Sequence, residues 1–252
     1  MNPNPLASAL RKGWDAAKGN FVPGLFLQSG LVAVFLLYFL HAESRAFLDR
    51  VAEFKDATGY LFAFVAALIA GGVLPVVMKV LVFRGGKFGP AERSDLVFMS
   101  LLMGFMGVVV DALYRFQTVL FGSGTDLRTM VSKIAVDQFV FTTFLFIPFQ
   151  VGLTTWRREK WTLPALRRVF TRGFVLDQLL PVMIACWALW IPMLCVIYAM
   201  PAGLQVPVYV FVVCFWMMIF TAIGEAASAT SLPKRRVDDR PDVHDPPHQN
   251  PP

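Results

Sequence analysis

The stretch DLVFMSLLMGFMGVVVDALYR, residues 95–115, decides the fold class. Its apolar block is about 20 residues long, the length at which a helix crosses the roughly 30 Å hydrocarbon core of a bilayer. Ser100, Gly104, Gly107 and Asp111 recur within it at spacings of four, three and four, so they share one helix face. Small residues on one face let another helix approach closely in lipid. The same face carries Asp111, and one turn later Tyr114 and Arg115, to one end of the helix. The period-two alternation of a membrane β-barrel is absent.

Similar blocks fill most of the chain. Of its 252 residues 56% are hydrophobic and 16% charged, with a mean hydropathy of +0.59. A soluble domain usually carries about 25% charged residues. Lipid offers no hydrogen bonds, so each block must satisfy its own backbone, and a helix does so. The expected fold is an all-α integral membrane protein, a bundle of six transmembrane helices within residues 21–225. The spans fall at about 21–40, 59–80, 95–114, 134–155, 175–199 and 205–224.

The flanks read differently. In residues 1–20, Leu6, Leu10, Trp14 and Ala17 recur at helical spacing, continued by Phe21, with Arg11, Lys12 and Lys18 on other faces. That pattern predicts an amphipathic helix at the membrane interface. A basic start before an apolar run also resembles a signal peptide. The run from Phe21 to Leu40 is too long for one, however, and Leu40-His41-Ala42 is a poor cleavage site, so the segment reads as a first span. Residues 226–252 end in PDVHDPPHQNPP and lack the apolar surface to order themselves, so a disordered tail is expected. His244 and His248 there read as solvated rather than as metal ligands.

Lysine and arginine test the span count. With six spans, 17 of the 23 basic residues fall on the side that holds both termini and 6 on the other. The positive-inside bias then places both termini in the cytoplasm or its organellar equivalent, in a bacterial cytoplasmic membrane or an organelle membrane. Five spans would scramble the partition. The net charge of +6 therefore reports topology and not nucleic-acid binding. Cys186, Cys195 and Cys214 lie in apolar blocks and read as buried small hydrophobes without a disulfide framework.

Polar residues inside the spans mark a candidate site. Asp111, Tyr114, Arg115, Lys133, Asp137 and Gln138 converge on the non-cytoplasmic mouth, and Gln138 with Thr142 continues inward. A central, unpaired carboxylate costs about 2.5 kcal/mol or more in lipid, so Asp137 should face protein or water. Lys133, four residues before it, and Arg115 are its expected partners. Leu176-Asp177-Gln178-Leu179 echoes Val136-Asp137-Gln138-Phe139 at the opposite mouth. Pro148 and Pro192 should kink their helices. The aromatic sixth span reads as lipid contact and packing.

These residues resemble the family founded on the twenty-two-kilodalton peroxisomal membrane protein and its mitochondrial inner-membrane relatives. Met99-Ser100-Leu101, Gly104-Phe105-Met106-Gly107 and Tyr114 look like that family's glycine-rich span. Lys133 with Asp137-Gln138 looks like its Lys-x-x-x-Asp-Gln motif, and Pro201 with Trp216 matches its closing spacing. The resemblance covers about 65–222. Departures are Val108 and Thr143 at proline positions, Met193 and Val196 at polar ones, and Gln205 at an arginine; Gly72-Val73 and Lys79 replace an early Gly-Asp and Gln. The resemblance implies a helical membrane bundle and the pore-forming activity attributed to some members.

Two functions stay open. One is a small channel or solute-permeation protein with selectivity set at the Asp111/Asp137 mouth. The other is a non-catalytic structural or assembly protein that binds partner membrane proteins. The chain has no His-Glu-x-x-His, Gly-x-Ser-x-Gly or P-loop motif, so no enzyme, cofactor or metal centre is expected. The expected partners are the lipid bilayer and other membrane proteins, further copies of the chain included, and not nucleic acid.

Overall fold

The computed structural model describes the backbone of residues 5–231 and the side chains of residues 5–218 and 221. The chain is an all-α bundle. Its helices are α1 (Pro5–Gly19), α2 (Phe21–Leu40), α3 (Ala42–Thr58), α4 (Tyr60–Phe83), α5 (Pro90–Phe121), α6 (Leu127–Arg158), α7 (Leu163–Val169), α8 (Arg172–Ala199) and α9 (Ala202–Ser231). Helices α2, α4, α5, α6 and α8 are long and apolar enough to cross a membrane, and the apolar opening of α9, Ala202–Met218, is a shorter sixth segment. Helices α5 and α6 overrun their expected spans toward the same end. The backbone of α9 stays helical through Ser231, past the expected end of the sixth span, and His244 and His248 lie outside the described residues.

Helices α4 and α5 pack antiparallel along the small-residue face. Gly72 lies against the backbone of Ser100, Gly107 against Ala63 and Ala67, and a Cβ added at Gly104 would sit 2.9 Å from the Phe64 ring. Both helices of the pair thus contribute glycines, Gly71 and Gly72 included. Helix α9 runs through the centre, so of the lipid contact and packing expected of the sixth span, packing dominates. Its β-branched Val206, Val208, Val212 and Val213, with Leu204 and Tyr209, are buried among Leu27, Leu31, Ala63, Val110, Tyr114, Leu189 and Ile197. Among its described side chains Ala202 and Phe211 are exposed. Cys195 is exposed, and Cys186 and Cys214 are half-buried, so the cysteines are less buried than expected; none is in a disulfide.

Helix α1 packs along the start of α8 in the same direction. Lys12 reaches Asp177, Gly13 lies against Pro181 and Ile184, and further on Gly24 meets Leu189. Leu6, Leu10 and Trp14 point outward.

Four stretches of these helices are widened into π-helix: Leu68–Val73, Lys79–Phe83, Val136–Phe146 and Val175–Leu179. Three of them end two residues before a proline, namely Pro75, Pro148 and Pro181. A proline ring clashes with the carbonyl four residues back. Widening the preceding turn moves that carbonyl aside, so the kink expected at Pro148 is taken up as a register change.

The connections alternate between two ends. One end gathers α3, the α5–α6 link and the Met200–Pro201 turn, with Gly203 of α9 lying against Ala52 and Asp56 of α3. The other gathers α1, the α4–α5 link and α7, tied by Lys12–Asp177, Lys79–Asp95 and Arg157–Asp95. Helix α9 runs from the first end to the Lys79–Phe83 turn at the second, so the described chain begins and ends at the same end. At the α5–α6 link, the Thr129 hydroxyl and N–H bond the Asp126 carboxylate that caps α6 and hold its pKa below the usual range.

Candidate functional site

The site is built from α5 outward. Asp111 is completely buried, and its Oδ1 accepts from Arg115 Nε one turn later at 3.2 Å. The second cation comes from α3, the charged connection between the first two spans. Gly59, with φ 59° and ψ −130°, ends α3 in a backbone conformation that side chains strain, and it turns the chain sharply into α4. The last turn of α3 then lies over the bundle, with Lys55 Nζ 3.4 Å from Asp111 Oδ1 and 3.3 Å from Asp56 Oδ1. The Arg115 guanidinium stacks over the Tyr60 ring at 4.9 Å. Two cations and two carboxylates thus balance, which keeps the desolvated Asp111 charge compensated. Beside them lies a cavity of about 240 Å³ lined by Lys55, Asp111, Tyr114, Thr118, Gly203 and Gln205. Asp111 Oδ2 is buried at this cavity and has no hydrogen-bond partner among the described residues.

A second cluster surrounds Asp137. Tyr198 of α8 donates its hydroxyl to Asp137 Oδ2 at 2.6 Å, and Gln138 Nε2 and Thr142 Oγ1 reach Oδ1 at 2.9 and 3.4 Å. The π-helical stretch makes this possible. It sets residues five apart on one face, so Thr142 meets Asp137 and the Thr143 hydroxyl bonds the Gln138 carbonyl at 2.8 Å. Trp187 Nε1 donates to the same carbonyl at 3.2 Å.

Asp137 has other partners than those expected of it. Neither Lys133 nor Arg115 pairs with it: Arg115 is committed to Asp111, and the widened helix starting at Val136 turns Asp137 toward α8. Lys133 is 1% exposed, and its Nζ lies 5.8 Å from the Tyr198 ring centroid and makes no hydrogen bond among the described residues. Its backbone carbonyl accepts from Gln117 Nε2 at 3.2 Å. The six expected residues therefore split into two groups, Asp111 with Arg115 and Asp137 with Gln138. Tyr114 joins them, its ring 5.2 Å from Tyr198 and 6.2 Å from Tyr209. The other Asp-Gln pair is unlike the first: Asp177 is exposed and meets Lys12 at 3.5 Å.

Sequence reading missed Lys55, Gln117, Tyr198 and Gln205. Their one retrospective signal is polarity at a span end, which by itself says nothing about direction. Among the described residues no three His, Cys, Asp or Glu side chains gather as a metal site requires. The arrangement can bind and orient a small polar species by charge and hydrogen bonding. The chain matches no known family model, no curated protein and no solved structure.

Proposed function

We propose that this multi-pass membrane protein passes a small polar solute across the bilayer, with the cavity beside Asp111 as its vestibule. The observation that carries the reading is a line of polar side chains that leads from that cavity across the bundle to α6. Asp111 is followed one turn away by Tyr114, whose ring abuts Tyr198, whose hydroxyl bonds Asp137. Gln138 and Thr142 extend the line along α6. Polar side chains lining a path replace a solute's hydration, and in this reading the contacting Tyr114, Tyr198 and Tyr209 rings close the path beyond the vestibule. The resemblance to a pore-forming family points the same way. We further propose that the chain is non-catalytic and that the end rich in lysine and arginine faces the cytoplasm or its equivalent.

A second reading has its own support. Both Asp137 oxygens and Asp111 Oδ1 are already satisfied within the chain, and such closed networks rigidify a core. A structural or assembly protein needs nothing more.

Flux into proteoliposomes separates the two. Thr118 lines the vestibule half-exposed, so Thr118→Trp narrows it without entering the core. Permeation predicts solute uptake above that of protein-free vesicles, and a loss of uptake with Thr118→Trp. No uptake above protein-free vesicles across a panel of small ions and polyols rejects permeation and leaves the structural reading.

A further inference from the structure

The opposite end of the bundle holds a larger cavity, about 650 Å³, that the permeation reading does not use. Asp95, Phe98, Arg157, Arg158, Lys160 and Trp161 line it. Asp95 is already neutralised, with Arg157 Nη2 at 2.8 Å and Lys79 Nζ at 3.8 Å. Arg157 also donates to Ser94 Oγ at 2.9 Å and stacks over Phe98 at 4.4 Å. Arg158 and Lys160 are exposed, and both lack a carboxylate partner among the described residues. The cavity wall therefore carries an excess of positive charge with free N–H donors.

Its geometry is set by an unusual turn. Lys160 and Trp161 are the two described non-glycine residues with positive φ, at 57° and 61°. Bulky side chains rarely adopt that conformation, and strain of this type concentrates at functional sites. The turn ends α6 with Trp161 N–H bonded to the Trp156 carbonyl at 2.9 Å. It sets the Trp161 ring edge-on to Trp156 at 4.9 Å and to Phe98 at 6.0 Å. Trp156 Nε1 locks the turn by donating to the Thr162 carbonyl at 3.0 Å. Leu163 and Phe170, just beyond, are exposed. Free cations beside half-exposed tryptophan and exposed apolar side chains match the chemistry of the headgroup layer, where aromatic rings and basic side chains meet lipid phosphates.

We propose that this corner is a binding site for the phosphate group of an anionic membrane lipid, with Arg158 and Lys160 contacting the phosphate and Trp161 and Phe98 contacting the apolar part beside it. A soluble phosphate compound would share the charge chemistry but leave the exposed rings unused. The test uses the full chain in phosphatidylcholine nanodiscs, read by thermal melting and by lipid retention in native mass spectrometry. Added phosphatidylglycerol should raise the melting midpoint and be retained in preference to phosphatidylcholine. Arg158→Gln with Lys160→Gln should weaken that retention on the order of tenfold while the midpoint in pure phosphatidylcholine stays put. Trp161→Ala should weaken it as well, which a purely electrostatic surface would not show. Equal retention of both lipids, or undiminished phosphatidylglycerol retention in the double variant, overturns the site. A variant-sensitive response to inorganic phosphate equal to that for phosphatidylglycerol overturns the lipid assignment.

Discussion

Helix α5 carries the same chemical set at both of its ends. Near its C-terminal end Asp111 meets Lys55 and Arg115, and the arginine stacks on Tyr60. Near its start Asp95 meets Lys79 and Arg157, and the arginine stacks on Phe98. Each set joins an α5 aspartate to a lysine, an arginine and a ring, and the first adds Asp56 beside Lys55. Burial separates them: the Asp111 side chain is 0% exposed and that of Asp95 is 37%. An ion pair in water contributes little, whereas removing one partner of a buried pair strands the other. Similar residues therefore lock one end of the bundle and, in the proposed reading, leave the other open to a lipid headgroup.

The largest expected effect comes from breaking the buried set. Asp111→Asn leaves Lys55 buried against half of its former charge and should lower stability by about 3–5 kcal/mol, read as a fall in the detergent melting midpoint. A midpoint within a degree of wild type would mean that water reaches Asp111 freely and that the two ends are alike. Next comes the helix that joins the two sets. Gly107→Leu drives a side chain into the backbone of Ala63 and should cost about 1–3 kcal/mol or more, and Gly104→Leu less, because a mobile Phe64 ring is its obstacle. Equal effects would mean the α4–α5 contact is looser than the structure has it.

Smaller changes sharpen the contrast. Tyr198→Phe removes the donor to Asp137 Oδ2 and should cost about 1–3 kcal/mol by the same measurement. A neutral result would place water in that bond instead. Asp95→Asn, the counterpart of Asp111→Asn, should cost about 0–1 kcal/mol and less at high salt. A cost as large as that of Asp111→Asn removes the comparison altogether.

The sequence carried most of the fold, because apolar blocks in lipid have few alternatives. The face of Ser100, Gly104 and Gly107 was legible from spacing alone, since a helix repeats regularly and glycine has one main use there. The partners of Asp137 were not. They depend on a π-helical stretch that shifts register within α6, and nothing in VDQFVFTTFLF shows a five-residue repeat unless Pro148 beyond it is read as the cause. Lys55 was hidden for a different reason. Its contact with Asp111 depends on the fold-back at Gly59, a tertiary event in a stretch that composition assigns to solvent. The central position of α9 was equally unreadable, because hydropathy cannot tell a helix facing lipid from one surrounded by other helices.

The proposed contrast also requires that the two ends of α5 lie on opposite membrane faces, and accessibility measures this most directly. The three native cysteines are replaced by alanine, and single cysteines are introduced as Thr118→Cys at the vestibule and Lys160→Cys at the basic corner. A membrane-impermeant maleimide added outside right-side-out vesicles should modify Thr118→Cys and spare Lys160→Cys, and inverted vesicles should reverse the pattern. Modification of both positions from one side would contradict it.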